Sequence, residues 1–353
     1  MNNKKSIKKN ETIKLCALLA LCLILLVSLI LVLIKTISDS PSTPAADQQV
    51  QYIEISSLSG MKLPEAKSLL DGANISYEIV PTSSKIPNKV ENFEYIGKNE
   101  NGKIYIEVGT SVKLYANEVE SNKIIYLTFD DGPIVNYSDS TLETIYHNTG
   151  EILDILDQYG IKASFFLAGY QMVKPDRSQY VLDIYNGGHI VACHSFSHDY
   201  DYIYSSSENF VNDVERFEKE LKIILGEEKY NSMGKYIRFP GGTVKNGCVG
   251  KATALDYISS VRQMGYKIYD WTLLTNDAYE NHRQEGESDR DYYLRSLKES
   301  LELYKNSDYP LILLMHDKNS TKEVLPEIIE YLISEGYYFD TIDNCPEYTD
   351  AEK

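Results

Sequence analysis

At 353 residues the chain has room for one large domain with a sizeable core and a second, small one. It sets 35 Lys+Arg against 52 Asp+Glu, a formal net charge of −17. A surface that acidic does not neutralise phosphates, which excludes nucleic acid as a partner class.

The positive charge gathers at the start. Lys4, Lys5, Lys8, Lys9 and Lys14 precede an apolar run from Leu15 to Ile34. At about 1.5 Å per residue that run spans about 30 Å, the hydrocarbon thickness of a bilayer. The expectation is a cytoplasmic basic tail over 1–14 and a single transmembrane helix over 15–34, with everything beyond lying outside the cell. A cleaved signal peptide competes, but the run is long for an h-region and no small-x-small site follows. Residues 35–50, with Pro41 and Pro44 among small polar residues, have linker composition. Of five cysteines, Cys16 and Cys22 fall in the apolar run. Cys193, Cys248 and Cys345 are odd in number and widely spaced, so a disulfide framework is not expected and Cys193 reads as a small buried apolar residue.

Residues 51–117 read as a small α+β unit. A helix is predicted over Leu63–Leu70, with Pro64 in its first turn and Asp71-Gly72 ending it. Strands are predicted over 75–80, 103–108 and 111–114. The order Leu58-Ser59-Gly60-Met61, Glu65-Ala66, Leu69-Leu70, the strands, then Val108-Gly109-Thr110-Ser111-Val112 resembles a PASTA domain, a βαβββ module of extracellular cell-wall proteins. The resemblance implies attachment to peptidoglycan.

The second domain spans 121–345. Strand-like runs recur at 123–129, 162–167, 189–192, 236–238, 267–271, 311–315 and 338–342, with helical stripes between them. Ile152, Leu153, Ile155 and Leu156 share one stripe; Phe210, Val214, Phe217, Leu221 and Ile224 form another. Leu325, Ile328, Ile329 and Leu332 mark the last helix, in which Pro326 is expected near the beginning. Seven strands alternating with helices predict a parallel α/β sheet closed, or nearly closed, into a barrel. Residues at the strand carboxyl ends then converge on one face.

Several chemistry-bearing residues lie at those ends. Ile124-Ile125-Tyr126-Leu127-Thr128-Phe129 leads into Asp130-Asp131-Gly132-Pro133, two adjacent carboxylates that need a cation, an arginine or a shared proton. His194-Ser195-Phe196-Ser197-His198 follows the third strand; histidines four apart on a helical turn reach a single ion. With a carboxylate from the first strand they make a two-histidine, one-carboxylate set with open positions, suited to zinc, cobalt, manganese or iron. Arg238 ends the fourth strand with a fork suited to a carboxylate. His316 closes the sixth, and Asp277 is placed to accept its second N–H and hold it protonated. His147, His189 and His282 read as loop or structural residues.

Taken together, Thr128-Phe129-Asp130-Asp131-Gly132-Pro133, His194-Ser195-Phe196-Ser197-His198, Arg238-Phe239-Pro240, Trp271 through Asp277 and Leu314-Met315-His316 resemble the polysaccharide deacetylases, carbohydrate esterase family 4 or NodB-type. The resemblance covers essentially the whole second domain. It implies a distorted (β/α) barrel, one divalent metal, with zinc preferred, and removal of N-acetyl groups from aminosugar polymers. By the same resemblance Asp131, His194 and His198 hold the metal, and Asp130 is the general base, oriented by Arg238. His316 is the general acid tuned by Asp277, and Leu314, Trp271, Pro240 and Gly241 line the substrate site. Two departures stand out. Ala278 follows Asp277 where family members often carry tryptophan, and Gly241 follows Pro240 where they often carry tyrosine.

The resulting expectation is a single-pass, outward-facing peptidoglycan deacetylase of a Gram-positive-type envelope. Its partners are the glycan strands and the membrane, with N-acetylglucosamine favoured over N-acetylmuramic acid and no protein partner. The rivals are a deacetylase for an exopolysaccharide or chitin-like chain, and a non-catalytic wall-binding or sensing protein.

Overall fold

The computed structural model describes residues 50–137, 145–244 and 251–353. The basic tail, the apolar run and most of the linker fall outside the described residues, as do Cys16, Cys22 and Cys248. Among the described residues no helix is long and apolar enough to cross a membrane.

Short alternating runs build the amino-terminal part: β1 (Tyr52–Ile55), a helix over Leu63–Gly72, β2 (Ser76–Val80), β3 (Asn92–Glu94), β4 (Gly97–Glu100), β5 (Lys103–Glu107) and β6 (Ser111–Tyr115). The described residues divide into two compact units. One contains the stretch up to Leu58 together with Lys67–Glu78 and Phe93–Lys113. In it β1, β5 and β4 form an antiparallel sheet in that order, Ile55 opposite Ile104 and Ile53 opposite Ile106. Ile104 and Ile106 are buried while Lys103 is exposed, the period of two that made β5 legible. Asn-Phe-Glu of β3 and Gly-Lys-Asn-Glu of β4 carry almost no apolar signal, and neither strand was expected. The helix runs two residues past its predicted end, to Gly72.

The other unit holds Ser59–Ala66, Ile79–Asn92 and Leu114–Lys353. Its strands are β7 (Ile124–Asp130), the hairpin β8 (Asn136–Tyr137) and β9 (Ile145–Tyr146), β10 (Ser164–Leu167), β11 (Ile190–Cys193), β12 (Tyr236–Ile237), β13 (Lys267–Ile268), β14 (Leu273–Leu274), β15 (Leu311–His316) and β16 (Tyr338–Asp340). Seven of them run β13-β12-β11-β10-β7-β15-β14, and β16 also pairs β7. The pairings are parallel, and the sheet curls into a distorted (β/α) half-barrel. β7 is its centre. All seven of its residues are buried. β15 lies along it from Ile125 to Asp130, while β16 takes the start of the opposite edge and β10 its end. Each expected strand is present. β14 is additional, because two residues are too few to show a period.

Alternation sorts the side chains into two cores. Ile125, Leu127 and Phe129 of β7, Phe165 and Leu167 of β10, Cys193 of β11 and Leu311, Leu313 and Met315 of β15 pack outward against the helices. Ile124, Tyr126, Phe166, Ala192, Ile312 and Leu314 fill the inside of the curl with Tyr269 and Trp271. Each fully buried leucine or phenylalanine is worth about 1.5–3 kcal/mol. The helix Ser207–Leu225 lays Phe210, Val214, Phe217 and Leu221 on the sheet, and Ser206 caps it by accepting from the Asn209 N–H. The last helix, Asn319–Ser334, corrects one expectation: Pro326 sits inside it, a full two turns from its start. The proline removes the N–H that Lys322 would have received. Buried Val324, Leu325, Ile328, Ile329 and Leu332 hold the helix on the sheet regardless.

Candidate active site

The inward face of the curl changes from apolar to polar at the strand carboxyl ends. On β7 the inward series Ile124, Tyr126 continues as Thr128 and Asp130; on β15, Ile312 and Leu314 continue as His316, which pairs in register with Asp130. His194 and Arg238 come one residue after β11 and β12. A period of two therefore delivers five polar side chains to one place.

Asp130 is 2 % exposed and Arg238 fully buried. Arg238 Nη1 donates to Asp130 Oδ1 at 2.7 Å and to Thr128 Oγ1 at 2.8 Å, while its Nε donates to the Tyr269 carbonyl at 2.9 Å. The guanidinium lies 4.1 Å over the Phe166 ring. Such a pair is tolerated out of water because each charge faces the other and the fork makes further hydrogen bonds.

Asp131 has left-handed backbone, φ +72°, and turns away from its neighbour. Its Oδ1 is buried without a hydrogen-bond partner, 3.6 Å from His194 Nε2 and 3.3 Å from His198 Nε2. One ligand atom from each of the three lies within 4.8 Å of the others. His194 Nδ1 is 2.9 Å from the Arg238 carbonyl, which only accepts, so Nδ1 carries a proton and Nε2 is the ring nitrogen turned toward Asp131. Burial, with His194 alongside, holds the His198 pKa below its ordinary value and keeps that imidazole neutral. An orphaned carboxylate oxygen beside two imidazole nitrogens is the donor set of an open divalent-metal site. The residues fit such an ion.

The two histidines do not lie on a helical turn as expected. They belong to a loop in which Ser195 and His198 have φ of +64° and +54°. Asp213 fixes it, its carboxylate accepting from the Phe196 and Ser197 N–H groups. This residue was missed, although a signal existed: an acidic residue on the apolar stripe Phe210–Val214–Phe217.

His316 Nδ1 lies 2.8 Å from Asp277 Oδ1, and Asp277 Oδ2 accepts from the His316 N–H at 2.7 Å and Thr321 Oγ1 at 2.6 Å. Burial pulls the imidazole pKa down, but the Asp277 carboxylate outweighs it and carries it up to about 9. Next to it, burial pushes the Asp317 carboxyl up to about 7, against a hydrogen bond from Thr149. A Cβ on Gly132 would lie 2.5 Å from Asp317 Oδ2, so any larger residue there would have to displace that carboxylate. Sequence reasoning gave Asp317 no part.

The sequence model of the polysaccharide deacetylase family matches residues 117–260. A putative polysaccharide deacetylase of Bacillus subtilis is 24 % identical over 268 residues, covering 75 % of this chain and 80 % of that protein. A peptidoglycan-N-acetylglucosamine deacetylase of Bacillus cereus is 26 % identical over 229 residues, 63 % of this chain and 70 % of that one. The solved structure of a Streptococcus mutans CE4 esterase superposes with a TM-score of 0.50 at 26 % identity, over 62 % of this chain and 86 % of that one. The chain carries a polysaccharide deacetylase domain of the CE4/NodB type. It is a hydrolase of amide bonds.

In this deacetylase domain the residues expected to line the substrate site are close to the inner core. Leu314 is buried on β15 and Trp271 beneath the loop after β12; Pro240 and Gly241 form that loop's turn, Gly241 with φ +78°. Tyr204 Oη donates to the Pro240 carbonyl at 2.7 Å. Aromatic side chains also lie near the site in sequence or space: Tyr170, Tyr200 and Tyr279 are among the exposed large side chains, and the Tyr200 ring lies 5.3 Å from that of His198. None of the three was singled out from the sequence, where tyrosine is too common to signal anything.

Proposed function

We propose that this chain removes N-acetyl groups from peptidoglycan aminosugars, N-acetylglucosamine first, and releases acetate. The observation that carries the reading is the division between the adjacent carboxylates, Asp130 paired to Arg238 and Asp131 left open beside His194 and His198. A divalent ion held by Asp131, His194 and His198, zinc preferred, would supply Lewis acidity that polarises an amide carbonyl and eases deprotonation of water.

The chain's own groups do the rest. Arg238 occupies Asp130 Oδ1, leaving Oδ2, 3.6 Å from His194 Nε2, as the oxygen that takes a proton from water. His316 has Nδ1 tied to Asp277, so its Nε2–H faces substrate, and it stays protonated to about pH 9. It gives that proton to the departing amine, which otherwise could not leave. In-register pairing of His316 with Asp130 sets acid and base on neighbouring strands. The Gly241 N–H is assigned to the developing oxyanion and Leu314 to the acetyl methyl. Tyr170, Tyr200 and Tyr279 offer flat faces to pyranose rings, which suits a polymer.

The same reading makes 15–34 a membrane anchor and 51–117 a PASTA-like wall-binding module, with the domain from 121 to 345 facing the wall. Tethering raises the local concentration of polymer. Acetate release from purified peptidoglycan and from chitin oligomers, with the freed amine located by mass spectrometry, tests this. Release from peptidoglycan at N-acetylglucosamine supports it. Release from chitin alone, or none from metal-loaded protein, refutes it.

A further inference from the structure

The end of the chain returns to the sheet. Tyr348 bridges Tyr269 in parallel register, with Asp270 N donating to the Tyr348 carbonyl at 2.8 Å and Tyr348 N to that of Ile268 at 3.3 Å. Tyr269 N donates instead to Ile237 of β12, so the returning segment takes the opposite edge of β13. Its outer side is held by Arg262, which donates to Glu347 Oε1 at 2.9 Å and to Glu352 Oε1 at 2.6 Å.

The inner side converges on one carboxylate. Asp270 is 1 % exposed; its Oδ1 accepts from Thr243 N at 3.0 Å, and its Oδ2 from Asp350 N at 2.7 Å and from the Thr243 hydroxyl. Thr243 Oγ1 accepts in turn from Ala351 N at 3.1 Å. Thr243 ends the turn Phe239-Pro240-Gly241-Gly242, where Gly242 N closes back onto the Phe239 carbonyl at 2.8 Å and Gly241 and Gly242 are both left-handed. Two consecutive glycines in that region have no side chain to hold them, so their position must be imposed from outside. The carbonyls of Tyr269 and Asp270 also receive Arg238 Nε and Nη2, at 2.9 and 3.3 Å. One dipeptide therefore anchors the partner of Asp130 and, through Asp270, the glycine turn.

We propose that Glu347–Glu352 is a strap that sets the Phe239–Thr243 turn through Asp270 and Thr243, making those two the positioning residues of the deacetylase site. This rests on the functional reading above, which gives the Gly241 N–H its task. Of Asp131, His194 and His198, only His194 meets this assembly, at the Arg238 carbonyl that precedes the turn. Asp131 and His198 are tied to neither Asp270 nor Thr243, so the strap acts on turnover far more than on metal binding.

The test uses the full chain with metal bound. Thr243→Val keeps the shape but removes the hydroxyl that joins Asp270 to Ala351; Thr243→Ser keeps it. Thr243→Val is expected to lower kcat roughly tenfold, with KM and metal affinity within about twofold, while Thr243→Ser stays within about twofold of the parent. Hydrogen exchange at the Gly241–Thr243 amides should quicken about tenfold in the valine variant alone. Equal kcat in both variants overturns the strap, as does a loss of metal that matches the loss of kcat. If the parent itself releases no acetate, the functional reading fails. The exchange rates then decide the strap: quickening in valine alone upholds it, and equal rates overturn it.

Discussion

Asp130 and Asp131 share a peptide bond and almost nothing else. The first is sealed under the sheet with its charge answered by Arg238 at 2.7 Å. The second is 36 % exposed at its side chain, left-handed in its backbone, and has one buried oxygen that no protein donor answers. The difference arises because Asp130 is the last inward-facing residue of β7, where strand parity dictates direction. Asp131 is the first residue released from that parity. One carboxylate has its charge answered by an arginine of the chain itself, and the other lies open beside two imidazoles. Two like charges can stand side by side when their neutralising partners differ in kind.

The comparison can be broken first at Asp130. Asp130→Asn should lower kcat for acetate release by about 10³-fold or more while metal content by elemental analysis stays near the parent value. Loss of metal in that variant would mean the two carboxylates are not separate in function. His198→Ala is the mirror experiment: metal affinity should fall by orders of magnitude, and activity should track occupancy as metal is added back. Activity that persists without metal would remove Asp131 from its assigned role. Arg238→Met leaves Asp130 buried without its counter-charge and should cost about 3–5 kcal/mol in denaturant unfolding. A change under about 1 kcal/mol would show that Asp130 had taken up a proton instead.

Smaller effects sharpen the picture. Asp213→Asn turns an acceptor of the Phe196 and Ser197 N–H groups into a partial donor and should weaken metal affinity about 10–100-fold. His316 supplies a pH signature. Its folded pKa of about 9 lies above its ordinary 6.5, so the stability from its pairing with Asp277 is fully present below about pH 6.5 and lost as pH rises through about 9. The alkaline limb of kcat should fall in the same range, and Asp277→Asn should move it to lower pH. A limb unmoved by that substitution would assign it to another group.

Much of the deacetylase domain was legible because its signals are local. The apolar run 124–129, the spacing of the helical stripes and the Asp-Asp-Gly-Pro ending are properties of consecutive residues, and period-two burial follows from them. The amino-terminal β3 and β4 were illegible for the opposite reason, having too few apolar residues to alternate. Pro326 misled because propensity is a local preference, whereas five buried side chains on the sheet outweigh one missing hydrogen bond. The four-residue spacing of His194 and His198 correctly paired them but implied a helical turn. Asp213, reached across the fold, instead holds a loop with two left-handed residues.

Sequence by itself determined which carboxylates, imidazoles and guanidinium gather at the strand carboxyl ends, since each closes or follows a strand-forming run. Tertiary structure alone decided which carboxylate met Arg238 and which stayed open, because that depends on the direction of a side chain at a strand's last residue. It also decided that Asp213, Asp317 and Asp270 support the site. Their partners lie 16 to 168 positions away at Ser197, Thr149, Thr243 and Asp350, and no pattern of neighbours along a chain encodes a contact made only when the sheet curls.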